Sequence, residues 1–184
     1  MKGVVFTEFM ELVETGFGMQ VADNVLTKGC PFHTGFTSVG TYNHHDLLSM
    51  VGELSTETGM PSKALVHAFG KHLFQKFYQG YPAVFAQVSS TFELLINVEN
   101  VIHVEVLKLT PEAELPTFRF PPAEKGCLAV EYQSPRPFAD LAGGLIEASI
   151  EHFGESLSVT RTDLDGPAGT HALFQLRPTS PSTN

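Results

Sequence analysis

The sequence predicts an α+β fold: a helical N-terminal part, then an antiparallel sheet carrying one long helix. Three observations predict it. Up to Leu115-Pro116 the apolar residues recur mostly at helical spacing. Beyond that point come short alternating or apolar runs bounded by turn residues, at Thr117 to Phe120, Leu128 to Gln133, Leu157 to Thr162 and His171 to Leu176. A single long helical stretch, Phe138 to Phe153 closed by Gly154, lies between the second and third runs. Helices segregated from strands along the chain favour α+β.

The first element runs from Lys2 to Phe17, with Val5, Phe6, Phe9, Leu12, Val13 and Phe17 close to helical spacing. Gly16 and Gly18 end it, and a shorter helix follows from Met19 to Lys28 with Gly29 as its stop. Cys30 to Tyr42 has little periodicity and reads as loop. Asn43 is suited to cap a helix from His44 to Thr58, closed by Gly59. The next helix has Pro61 in its first turn and an apolar face of Leu65, Val66, Phe69, Leu73 and Phe77. His44, His45, His67 and His72 are near in sequence only and read as solvated surface residues, not a metal cluster. Pro82 opens a short helical turn, and Ser90-Thr91-Phe92-Glu93 has the pattern of a capping box. Asp163 to Gly169 reads as a hairpin-like connection, and Pro178 to Asn184 as a disordered tail.

A chain of 184 residues, 42% hydrophobic and 17% charged, suits one globular domain with a sizeable core. Fifteen Phe and no Trp suit a thick apolar interior or an apolar ligand cavity. The net charge of −9 with no basic run argues against nucleic acid and against an anionic membrane surface. No apolar run approaches the ~20 residues of a membrane helix. Two cysteines, Cys30 and Cys127, make neither a disulfide framework nor a CxxC site. With no signal peptide, the expected location is the cytoplasm, with both thiols reduced. No nucleophile elbow, P-loop or metalloprotease motif is present, so no enzyme activity is expected.

Two stretches carry the chemistry. Ile102-His103-Val104-Glu105-Val106 places one imidazole among apolar residues. A neutral imidazole there is either a hydrogen-bonded core histidine or a ligand for a metal or haem iron; a general base would also need a nucleophile, and none is evident. The stretch alternates as a strand does, yet it follows a helical run with no breaker before Thr110-Pro111, so its local structure stays open. The second stretch is Tyr132-Gln133-Ser134-Pro135-Arg136-Pro137. Each proline biases the residue before it towards an extended backbone, so Tyr132, Ser134 and Arg136 share a face. All three offer donors, and the guanidinium is a fork suited to carboxylates. The triplet is a one-sided grip for one or two carboxylates, or else a strand end with a polar face. An apolar planar ligand with a metal and two carboxylates would use both stretches, and haem is such a ligand.

With these residues in order, the chain resembles the H-NOX family, the haem nitric oxide/oxygen binding domains related to the sensor domain of soluble guanylate cyclase. The resemblance runs from Met1-Lys2-Gly3-Val4-Val5 to Leu176. It rests on Ala68-Phe69-Gly70, the His103 stretch, Ala113-Glu114-Leu115-Pro116, the YxSxR pattern at Tyr132, Ser134 and Arg136, and Asp140 with Gly144-Leu145-Ile146-Glu147. It implies a helical lobe over residues 1–60 and a haem-cradling lobe over 61–177, with haem b, iron protoporphyrin IX, between them. It implies a helical setting for His103 as the proximal iron ligand. Tyr132, Ser134 and Arg136 would hold the propionates, and Pro116, otherwise a strand start, would press on the porphyrin. In family members that bind oxygen stably a distal tyrosine stands at the position matching Leu141, and Val5 and Leu145 match other lining positions. Leucine cannot donate to bound oxygen, so the resemblance implies a five-coordinate ferrous haem that takes nitric oxide and carbon monoxide and rejects oxygen, unless Tyr42 or Tyr78 folds in. The Cys/His zinc site of some members is not expected, since His171 is its only candidate and no cysteine follows Cys127. The chain ends soon after the sensor fold, so the output would pass to a separate histidine kinase or cyclic-di-GMP enzyme through release of His103. A haem-free small-molecule binding module on the same scaffold is the alternative.

Overall fold

The computed structural model describes residues 1–109 and 113–179. In chain order it has α1 (Gly3–Phe17), α2 (Met19–Gly29), α3 (His44–Thr58), α4 (Ser62–Gly80), the single turn α5 (Pro82–Phe85) and α6 (Thr91–Asn97). A π-helical turn, Val98–Ile102, leads into α7 (His103–Leu109). Then come β1 (Thr117–Arg119), β2 (Leu128–Gln133), α8 (Ala139–Phe153), β3 (Leu157–Asp163), a 3-10 turn (Gly166–Ala168) and β4 (His171–Pro178). The four strands form one antiparallel sheet in the order β1-β2-β4-β3. The α+β class expected from the sequence is the class observed. Thr110-Pro111 and residues 180–184 of the expected loose tail lie outside the described residues.

Local chemistry sets most boundaries. The Asn43 side chain accepts from the His45 N–H at 3.1 Å, and Gly59 ends α3 at φ +72°, where a Cβ would be strained. The Ser90 hydroxyl accepts from the Glu93 N–H at 3.2 Å, but the Glu93 carboxylate turns to the N–H and hydroxyl of Ser89 instead of closing the box on Ser90. Pro61 sits one place earlier than expected, at the N-cap of α4 and outside its first turn; its extended ψ of 135° precedes the helix, and its carbonyl accepts from the Leu65 N–H. The last strand also runs further than the sequence suggests. Pro178 lies opposite Leu157 at the end of β4, and Thr179 donates through its N–H and hydroxyl to the Ser156 carbonyl. Pairing with β3 carries order past Leu176, into residues whose composition alone reads as tail.

Two cores share one seam. The first packs α1 to α4 around Phe6, Phe9, Met50, Leu54, Phe69 and Leu73. The second packs α8 on one face of the sheet, with Val130, Tyr132, Ile146, Phe174 and Leu176 inside. They meet where α4 crosses α8. A Cβ on Gly70 would run into the Leu141 carbonyl oxygen, and one on Gly144 into that of His67. Only hydrogen at both positions lets the backbones approach this closely. The start of α1 is pinned to the 40–42 segment: Gly3 N–H donates to the Gly40 carbonyl, and the Met1 amino group and carbonyl both bond the Tyr42 backbone. Among the described residues no helix is long and apolar enough to cross a membrane.

Candidate functional site

His103 is the first residue of α7, and its N–H donates to the Val98 carbonyl, closing the wider π turn. The ambiguity left by the sequence is thus settled as helix. The Ser90 cap starts helical winding, and nothing between Thr91 and Ile102 interrupts it. The imidazole is 13% exposed. Burial holds its pKa below the ordinary histidine value against the pull of Glu99, so the ring is neutral at pH 7, the form that ligates metals. Leu107, one helical turn on, is 40% exposed and does not share that burial.

Glu99 stands beside the ring. Its Oε2 is 3.7 Å from His103 Nδ1, and its Oε1 accepts from the Phe118 backbone N–H at 2.5 Å. The Phe118 ring lies 5.8 Å from the imidazole and 5.7 Å from the Tyr132 ring, between the two stretches that the sequence singles out. Phe118 on β1 faces Tyr132 on β2 in the register of the sheet.

Tyr132 is fully buried near the end of β2, and burial pushes its phenol above the ordinary range. The Ser134 side chain and the Phe138 backbone pull it the other way. Ser134 donates its N–H to the Thr170 carbonyl at 2.8 Å, while its hydroxyl accepts from the Arg136 N–H at 3.1 Å. Arg136, 14% exposed, donates from Nη1 to the Glu114 carbonyl at 2.9 Å and from Nη2 to the Glu114 carboxylate. Ser134 and Arg136 therefore stand together, and the guanidinium spends one N–H on a backbone carbonyl and one on a single carboxylate oxygen of Glu114.

The apolar candidates sit at the edges of the cores. Val5 on α1 and Leu141 on α8 are half-buried against the helical core. Leu145, one turn further along α8, touches both that core and the small cluster containing Ile102, the neighbour of His103. Pro116 is half-buried just before β1, two residues beyond Glu114. Two clefts, one of about 410 Å³ by Cys127, Leu128 and Arg177 and one of about 160 Å³ by Leu48, Val66 and Arg161, are lined by none of these residues.

The other histidines do not converge. His44 stacks on His45, His67 faces Glu147 and His72 faces Glu8. Glu8, Glu11 and His72 come close enough for a cation, yet Lys76 already bridges both carboxylates. His171 pairs with Glu131 at 2.7 Å across β2 and β4.

These residues fit a haem-like group. A neutral, largely buried imidazole offers one nitrogen. Glu114 supplies a carboxylate where a propionate would be gripped, so Arg136 is already oriented for one. Partly covered apolar side chains suit a flat hydrophobic body. Sequence reasoning missed three contributors. Glu99 is four residues from His103, a helical neighbour, but that signal exists only once the segment is known to be helical. Glu114 stood in a quoted motif without a role, and Phe118 announced itself only as a strand residue.

Comparison with known proteins agrees. The sequence model of a family described as Haem-NO-binding, HNOB, matches residues 2–161. Among solved structures, an unliganded Fe(II) H-NOX protein from K. algicida is 32% identical, with a TM-score of 0.90 over 98% of this chain and 97% of that one. The H-NOX from Shewanella woodyi, solved bound to IWP-051 in the Fe(II)CO state, is 36% identical, with a TM-score of 0.84 over 100% and 97%. An H-NOX protein from S. oneidensis in the Fe(II)NO state is 26% identical, with a TM-score of 0.89 over 98% and 100%. No curated relative matches the chain.

Proposed function

The chain belongs to the Haem-NO-binding family, the H-NOX proteins, and from that premise we propose that it is a haem-based sensor of nitric oxide and carbon monoxide that discriminates against oxygen. The observation that carries this reading is the link between a neutral, largely buried His103 and Arg136, which bonds a carboxylate oxygen of Glu114, through Phe118 and Tyr132. Haem b, when bound, would supply a ferrous iron able to bind a diatomic gas. His103 is the protein ligand of that iron. Tyr132, Ser134 and Arg136 hold the propionates, with Arg136 exchanging the Glu114 carboxylate for one of them. Pro116 would press on the macrocycle, and Val5, Leu141 and Leu145 would give the gas an apolar lining. Leu141 offers bound oxygen no hydrogen bond, which is the basis of discrimination.

The signal is release of His103, which frees α7 from the site. A ligand acts through its different affinity for the held and released states, so the response needs no chemistry by the protein itself. The receiver is a separate histidine kinase or cyclic-di-GMP enzyme, and the setting is the cytoplasm.

The test is the visible absorption of reduced protein, read before and after nitric oxide. The His103→Gly variant is expected to lose haem and to recover it when free imidazole is supplied. An unchanged spectrum in that variant overturns the ligand assignment, and a colourless wild-type protein that takes up no added haem overturns the function in favour of a haem-free binding module. Leu141→Tyr is expected to favour a stable oxygen complex.

A further inference from the structure

Glu99 lies outside every motif that points to the site, yet it touches the site's central residue. It belongs to the π turn, one residue in from its start, and π turns recur at functional positions. Four residues before His103 on continuous helical winding, Glu99 lies beside the imidazole. One carboxylate oxygen is committed: Oε1 accepts from the Phe118 N–H at 2.5 Å, which holds the group beside β1. The other, Oε2, is left 3.7 Å from Nδ1 of the imidazole. That is ion-pair separation, longer than a hydrogen bond. A small rotation of the ring closes it, and such contacts tighten when a site is loaded.

We infer that Glu99 is the positioning residue of the proximal ligand: its carboxylate accepts from the Nδ1–H of His103, leaves Nε2 as the ligating nitrogen, and ties the imidazole to the backbone of β1. The inference rests on His103 being the haem ligand, as proposed above. Two effects follow. A carboxylate acceptor fixes the tautomer and makes the ring a stronger donor to iron, so the bond that must break on signalling is strengthened. The same carboxylate joins the π turn to the backbone of β1. When His103 leaves the iron, Glu99 hands its displacement to Phe118, and so to β1 and its partner Tyr132 on β2. Release of the ligand is thereby felt in the strand that carries the propionate grip.

Two substitutions separate the roles. In Glu99→Gln the amide oxygen still accepts from the Phe118 N–H, but the amide nitrogen cannot accept from Nδ1–H. In Glu99→Ala both links go. Both variants are expected to lower the iron–histidine stretching frequency of the ferrous protein in resonance Raman spectra and to weaken haem affinity by about 10-fold. Only Glu99→Ala is expected to lower the melting temperature of the haem-free protein. In that haem-free protein, ¹⁵N shifts of His103 are expected to show the proton on Nδ1, and Glu99→Gln to move it towards Nε2. An iron–histidine frequency and a tautomer both unchanged in Glu99→Gln overturn the inference. A wild-type protein that binds haem without any iron–histidine band overturns the ligand assignment instead, and the ¹⁵N measurement then judges Glu99 by itself.

Discussion

The helical core around Phe9 and the arm that carries His103 are built in opposite ways. In the core, Phe6, Phe9, Met50 and Leu54 are completely buried, and α4 and α8 touch backbone to backbone at Gly70 and Gly144. The arm, α6 through α7, is anchored at its base by buried Leu94 and Leu95 and by the Thr91 N–H, which donates to Glu155. Beyond that base Ile96, Val104 and Leu107 are each at least 40% exposed. Elements with few buried contacts open at low free energy, whereas close-packed ones open only with the whole domain. The difference puts His103 on the more exposed arm and Val5, Leu141 and Leu145 against the close-packed core, so in the proposed function the ligand would sit on the part that moves more easily. A sensor needs both: a rigid reference and a segment whose position reports on one bond.

The contrast can be tested directly. Phe9→Ala is expected to have the largest effect, a loss of about 3–5 kcal/mol in urea unfolding, because it opens a cavity in a core that cannot collapse. Gly144→Ala should follow with about 1–3 kcal/mol, since its methyl group meets the His67 carbonyl and forces α4 and α8 apart. Cys30 tests the same core by pH. Burial first, and then the nearby Asp46 carboxylate, push its thiol from 9.0 to about 11. Its pKa is higher folded than unfolded, so its contribution to stability is full below pH 9 and is lost as pH climbs towards 11. Native labelling at pH 8 should accordingly mark the half-buried Cys127 well before Cys30. Leu107→Ala should have the smallest effect, within about 0.5 kcal/mol. A loss there as large as that of Phe9→Ala would erase the distinction between core and arm.

How much was legible beforehand differs by residue. The cap at Asn43, the stops at Gly59 and Gly154 and the alternation of β2 are local signals, and the elements follow them within a residue or so. The triplet at Tyr132, Ser134 and Arg136 was legible for the same reason, because prolines control the backbone beside them. The His103 segment was not. Five residues of alternating character suit strand and helix alike, and the deciding influence, an uninterrupted helix begun at Ser90, lies a dozen residues upstream. The partner of Arg136 was invisible too, since Glu114 becomes its neighbour only when β1 pairs with β2.

By itself the order of residues determined the α+β class, most of the helices and strands, the candidate residues of the site, and membership of the Haem-NO-binding family. Each depends on spacing of side chains along a few turns, which a string of letters records. The tertiary structure alone decided that Phe118 stands between His103 and Tyr132, that Glu99 has one oxygen on β1 and the other towards the imidazole, and that Val104 and Leu107 of α7 are exposed while α4 and α8 pack backbone to backbone. Those relations join residues far apart in the chain, and burial and strand register, which bring them together, belong to the folded chain as a whole.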